Sequence, residues 1–216
     1  MISPKEFKAP FIKVEEIIRA ADGFRKQYWP HDTIPIEIFE IVEFELGIEI
    51  QPIYNLKEAG DVDALLLGDL KTVAVDQNEF LNDRAQNRLR FSIAHEIGHL
   101  VLHHNIFSKI AFSSIEEWIT FFQQISEDQY YWIEQHAYEF AGRLLVPRER
   151  LIEKLNDAVA MAKSAGFDAW DTSGDSTRQY MANGIARHFG VSAQVIERRL
   201  LREKLWPPTQ EGRFNR

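Results

Sequence analysis

Arg90-Phe91-Ser92-Ile93-Ala94-His95-Glu96-Ile97-Gly98-His99-Leu100-Val101-Leu102-His103 is the stretch on which the fold turns. It lies inside a longer helical pattern, Arg84 to His104. Residues four apart on a helix share a face, so His95 and His99 can present both imidazoles to one ion. Glu96 follows His95 directly, where a carboxylate can take a proton from an attacking water and later return it to a leaving amine. Catalytic zinc takes three protein ligands and leaves a fourth position open. Ile93, Ile97, Leu100 and Val101 flank the motif and give the helix an apolar face to bury. The spacing therefore predicts Zn2+ as cofactor, His95 and His99 as ligands, and Glu96 as the catalytic base.

Further elements follow outward from this helix. On the N-terminal side, Phe11 to Lys26 and Ile34 to Leu46 carry helical spacing. Pro35 is expected in the first turn of the second helix and Gly47 just past its end. Ile48 to Ile53 alternates as a strand does. Ala64 to Leu67 and Thr72 to Val75 predict a hairpin around Gly68-Asp69. On the C-terminal side, helices are expected over Tyr130 to Leu145, Arg148 to Lys163, Thr177 to Phe189 and Ser192 to Lys204, with a polar loop over Gly166 to Ser176. The fold class is thus α+β: a mostly helical, zincin-like fold with a small antiparallel or mixed sheet beside the active-site helix. The expected organisation is a single metallopeptidase domain over 1–205, with a catalytic core over 34–165 and a C-terminal helical hairpin over 177–205. A flexible tail is expected over 206–216.

Composition narrows the chemistry. The 216 residues contain no cysteine, so thiolate metal sites and cysteine nucleophiles are excluded and any metal must be held by His, Asp or Glu. The net charge of -8 argues against general nucleic-acid binding. No apolar run approaches the length of a membrane span, and the N-terminus lacks a signal-peptide core. A cytoplasmic location with no membrane partner is the expectation.

The third ligand is not fixed by spacing. A Gly three and a His six residues beyond the second His would mark metzincins, but Leu102 and Asn105 stand there. A carboxylate from a later helix is the other common solution. Glu134 is one candidate, and Glu127, Asp128, Glu139 and His136 are its rivals.

The motif helix resembles the ImmA/IrrE family of metallo-endopeptidases, whose pattern is R-F-[ST]-x-A-H-E-[IL]-G-H followed by an apolar pair and another His. A second stretch, Glu134-Gln135-His136-Ala137-Tyr138-Glu139-Phe140-Ala141-Gly142-Arg143-Leu144-Leu145-Val146-Pro147, is similar to the family's E-x-x-A-N-x-F-A-x-x-L-L-M-P. Phe189-Gly190-Val191-Ser192 and Arg199-Leu200 fit its final helices, so the likeness runs from about Ile34 to Leu205. The resemblance implies Glu134 as the third metal ligand beside His95 and His99. It also implies a narrow protein substrate, a transcriptional repressor of the helix-turn-helix type. Two departures stand out: Tyr138 replaces the family's usual Asn, and Val146 replaces Met. The N-terminal helix-turn-helix domain of many relatives is not expected here, with so few residues before Phe11.

Several residues carry two readings. His103 shares the face of His99 and either orients a ligand, contacts substrate, or favours the dipole at the helix end. His104 is expected in solvent. Tyr138 is a candidate neighbour of the ligands or of substrate, and Tyr130, Tyr131 and Tyr138 are candidate oxyanion donors or core residues. Arg88 and Arg90 are expected to pair with Asp83 or Glu79. Residues 105–129 contain Phe107, Phe112, Trp118, Phe121 and Phe122 and form either a wall or lid of the groove or a core-packing insertion, with a short helix over Ile115 to Ile125. Ile185 to Leu200 scans as helix-turn-helix. Overall acidity favours a packed hairpin that does not bind DNA, using Ile185, Phe189, Val195 and Leu200.

Overall fold

The computed structural model describes residues 3–110, 114–166 and 174–208. Phe112, most of the expected loop over Gly166 to Ser176 and residues 209–216 of the expected tail lie outside the described residues. Two compact units are distinguished. The first comprises residues 1–32 and 37–144, and the second residues 33–36 and 145–216.

The first unit opens with α1 (Val14–Tyr28), which buries Ile17, Ala21 and Phe24 along one stripe. The second expected helix is shorter than its spacing predicts. It begins at Ile38 as α2 (Ile38–Glu40) and widens into a π turn over Ile41–Glu45. Pro35 therefore precedes the helix and does not sit in its first turn. Gly47 takes φ +64°, a left-handed conformation that costs glycine nothing and suits a helix end.

The sheet contains β1 (Glu49–Ile53), β2 (Ala64–Leu66) and β3 (Thr72–Asp76) in the order β1-β3-β2. β2 and β3 pair antiparallel, with Leu65 opposite Ala74, as the hairpin expectation requires. β1 pairs parallel to β3, with Gln51 opposite Ala74, so the sheet is mixed. Pro52 is tolerated because β1 is an edge strand. In the turn, Leu70 takes a positive φ of 56°. Asp69 holds this turn by accepting hydrogen bonds from the Lys71 and Thr72 amides and the Thr72 hydroxyl. β3 is buried along its whole length. α5 (Gln86–Phe107) packs on β2 and β3, while α3 (Leu56–Gly60) contributes Leu56 to a cluster with Leu65 and Ala74.

Asp76 ends β3 and starts α4 (Gln77–Phe80) by accepting from the Asn78 and Glu79 amides, and also from that of Lys57. A 3-10 turn over Asp83–Ala85 leads into α5 (Gln86–Phe107). α6 (Ile115–Gln124) and α7 (Glu127–Leu145) follow. Phe107, Phe121, Phe122, Ile125 and Ile133 form one apolar cluster with Phe7 and Ile110.

The second unit holds α8 (Arg148–Ser164), α9 (Asp175–Phe189) and α10 (Ala193–Arg202). Gly190 takes φ +60° at the end of α9 and lets the chain reverse into α10. Ile185, Phe189 and Leu200 are buried as expected, but Ile196 takes the buried place that spacing assigned to Val195. Arg199 is also buried; it pairs with Glu203 at 2.8 Å and donates to the Val146 carbonyl. Among the described residues, no helix is long and apolar enough to cross a membrane.

Candidate metal centre

His95 and His99 project from one face of α5 with their Nε2 atoms 3.0 Å apart. Glu134 reaches them from α7, placing Oε2 3.1 Å from His95 Nε2 and Oε1 3.4 Å from His99 Nε2. All three ligand atoms lie within 4.8 Å of one another. Two facing ring nitrogens can share a hydrogen bond only if one carries its proton on Nε2, and that nitrogen then cannot bind a metal. A divalent cation satisfies both lone pairs and the carboxylate together. The donor set of two imidazoles and one carboxylate is one that catalytic zinc takes.

The approach of α7 depends on Gly98. A Cβ at that position would stand 3.0 Å from Ala137 Cα, 3.1 Å from the Ala137 carbonyl oxygen and 3.2 Å from the Phe140 ring. The glycine between the two histidines is therefore a spacing device: it lets two backbones come together, and Glu134 lies one turn before Ala137.

Glu96 is buried and faces the edge of the sheet, where the Leu66 amide donates to its Oε2 at 2.8 Å. Burial pushes its carboxyl above the ordinary glutamate value, against the opposing pull of His99, His95 and the Leu66 amide. A raised pKa suits a carboxylate that must accept a proton and then give it up. Burial likewise opposes charge on Glu134, but hydrogen bonds from His95 and His99 outweigh it and hold this carboxyl well below the usual range. For His99, burial opposes protonation, yet Glu134 and Glu96 together raise its pKa.

The remaining candidates separate clearly. His103 is 1% exposed and so is not a solvated helix-end residue. Its Nδ1 lies 3.1 Å from His99 Nδ1, and its Nε2 lies 3.3 Å from Nδ1 of His136. Burial, with the neighbouring His99 and His136, drives its pKa down to about 2. His104 is exposed, as expected. Tyr138 stands at the cleft with its ring edge-on to His95, the centroids 4.7 Å apart. Tyr130 lines the same cleft one turn before Glu134, and burial raises its phenol pKa, so it stays a donor. Tyr131 points into solvent. Of the rival ligands, Glu127 and Asp128 are exposed, Glu139 is paired to Arg143, and His136 is engaged with His103.

The arginine expectations need correction. Arg88 pairs with Glu79 as predicted, but its second partner is Asp63. Arg90 is buried and pairs with Glu37 at 2.6 Å, a residue far away in sequence. Val101, expected on the buried face, is 38% exposed.

The family model for the IrrE N-terminal-like domain (peptidase M78) matches residues 80–201, more than half of the chain. The chain belongs to this peptidase family. The M78 match takes in His95, Glu96, His99 and Glu134 and supports a metallopeptidase-type function. A search of the curated proteins finds no match. The sequence reading did not reveal the Leu66 amide or the rim Asp61 to Ala64 of the M78 cleft, whereas it offered Phe107, Trp118 and Phe122 as a wall of the groove, and they line it. α6 serves both readings of its segment, because Trp118 and Phe122 line the cleft while Phe121 and Phe122 are core. An aromatic-rich connection between two ligand-bearing helices was the only available signal.

Proposed function

We propose that the chain is a zinc-dependent metallo-endopeptidase that cuts a helix-turn-helix transcriptional repressor in the cytoplasm. The observation that carries the hydrolytic part is the convergence of His95 Nε2, His99 Nε2 and the Glu134 carboxylate in a cleft that also contains buried Glu96. His95, His99 and Glu134 would hold a zinc ion, which would supply a Lewis acid for the scissile carbonyl and lower the pKa of water. Glu96 takes the proton of the attacking water on a carboxylate oxygen and delivers it to the leaving amine nitrogen. The Leu66 amide holds the other side of that carboxylate in place. The repressor substrate rests on the resemblance to the ImmA/IrrE family.

Glu96→Gln tests this directly, because an amide cannot accept the proton at neutral pH. Incubation with the repressor encoded nearest the gene, followed by intact-mass analysis, should give two fragments from the wild-type chain. The variant should bind zinc normally and cleave about 10²- to 10⁴-fold more slowly. Wild-type-like cleavage by Glu96→Gln would refute the mechanism. The competing reading is a docking module that acts on a repressor without cutting it. Normal regulation in cells by Glu96→Gln would favour that module.

We also propose that α9 and α10 do not bind DNA. Arg199 is committed to Glu203 and the Val146 carbonyl, and Arg178 to Glu197 and Asp175, so neither offers its charge freely to phosphate. A gel-shift titration should show no salt-dependent binding near physiological ionic strength.

A further inference from the structure

α5 departs from helical geometry at one residue, His103, with φ −120° and ψ 15°. That residue's imidazole is buried between two other histidine rings. Nδ1 of His103 faces Nδ1 of His99, and Nε2 of His103 faces Nδ1 of His136 on α7. Three imidazoles thus run in file from the cleft into the protein, with both links at hydrogen-bond distance.

A neutral imidazole has one N–H and one lone pair. His99 turns Nε2 toward His95 and Glu134, so the lone pair on that nitrogen belongs to the ion and the proton must sit on Nδ1. Its partner there is His103 Nδ1, which must then accept. The His103 proton is left on Nε2, where it can be donated to His136 Nδ1. Fixing one end of the file fixes the direction of both hydrogen bonds, and no ring changes its protonation state.

We infer that His103 and His136 are positioning residues, forming a neutral histidine relay that locks His99 in the metal-binding tautomer and holds its Nε2 at the ion site. The relay rests on the metal centre proposed above. Hydrogen bonding to the far nitrogen of a ligand imidazole orients the ring and raises its basicity toward the metal. The other ligand histidine provides the contrast. Among the described residues, no group hydrogen-bonds to the buried His95 Nδ1, so no comparable link to that ring is seen there. A packing role alone would need only the volume of the ring. His103 does stack on Phe107, with centroids 6.3 Å apart, and phenylalanine could fill that place without accepting or donating a hydrogen bond.

The test uses the full chain and zinc itself. Zinc affinity is measured by competition with a chromophoric chelator for wild type, His103→Phe and His136→Phe. Nitrogen-15 spectra of the zinc-loaded wild type report which ring nitrogens carry protons. We expect His103→Phe to weaken zinc binding by roughly 10- to 100-fold, with the metal-free melting temperature at or above that of wild type. His136→Phe should weaken it less, because His103 can still accept from His99. The spectra should show the proton on Nδ1 of His99 and on Nε2 of His103. Tight zinc binding by wild type and His103→Phe alike overturns the relay and leaves the metal centre standing. A His103 proton on Nδ1 does the same, and this spectrum decides alone if the variant does not fold. Failure of the wild-type chain to bind zinc overturns the metal centre and the relay together.

Discussion

The cleft of the first unit and the helical hairpin of the second both bury ionisable side chains, but they balance them differently. In the hairpin unit, Arg199 is buried against Glu203, which also takes the Arg148 guanidinium at 3.1 Å. Both guanidiniums share the Glu203 carboxylate. In the cleft, His95, His99, Glu96 and Glu134 gather lone pairs and carboxylates. Among the described residues lining it there is no Lys or Arg. A buried ion pair that closes on itself is a structural feature, and breaking it leaves a charge stranded. A buried cluster rich in electron-pair donors is suited to a cation from outside. The two regions should therefore respond to different perturbations: the first to metal supply, the second to loss of an internal partner.

The largest expected effect is on the cleft. Glu134→Ala removes one of three ligands and should weaken zinc binding by more than the roughly 100-fold that loss of an outer partner can cost. Metal analysis after dialysis checks it. Full zinc content in this variant would break the assignment and promote a rival ligand. In the metal-free chain the same substitution also removes the pairing of Glu134 with His95 and His99, so a loss of stability should accompany the loss of zinc.

Arg199→Ala is the matching perturbation in the second unit. It strands Glu203, although Arg148 remains to pair with it, so the cost should fall at the low end of that for a broken buried pair, about 3 kcal/mol. Denaturant unfolding of the metal-free protein measures this. Zinc affinity measured below the transition should not change. A parallel loss of zinc would show that the two regions are not energetically separate.

Gly98→Ala should cost about 1–3 kcal/mol through overpacking against Ala137 and Phe140. It should also weaken zinc binding, because α7 must move and carries Glu134 with it. A fully stable variant with normal zinc affinity would show that the two helices have slack that the 3.0 Å approach does not suggest.

The smallest effect concerns pH and a carboxylate outside the cleft. Burial opposes the charge on Asp76, but the Lys57, Glu79 and Asn78 amides outweigh it and hold its pKa below the ordinary aspartate value. The folded state therefore binds this proton less readily than the unfolded state. The stability it contributes is complete above the ordinary aspartate pKa and is lost as pH falls through the lowered one. Asp76→Ala should cost about 1–3 kcal/mol at neutral pH by leaving buried donors unmet. Its deficit should shrink toward acid pH, where wild type loses the same contribution. A deficit constant from neutral to strongly acid pH would contradict the role assigned to its charge.

Sequence by itself determined what rests on local geometry. Helical spacing places His95 and His99 on one face, adjacency places Glu96 beside them, alternation marks β1, and two short apolar runs mark the strands of the hairpin. Likeness to the family singled out Glu134, which spacing could not choose from its rivals. Tertiary structure alone decided what joins distant segments. It set the parallel pairing of β1 with β3, the Leu66 amide on Glu96, the Glu37 carboxylate on Arg90 and the link from His103 to His136. It also gave Gly98 its meaning, since the need for a missing Cβ appears only when another backbone stands 3.0 Å away. The physical reason is one of range. The spacing of side chains along a helix is fixed by its own backbone, whereas contacts between helices, or between a helix and a strand, depend on how closely whole faces pack, which no periodicity within one segment records.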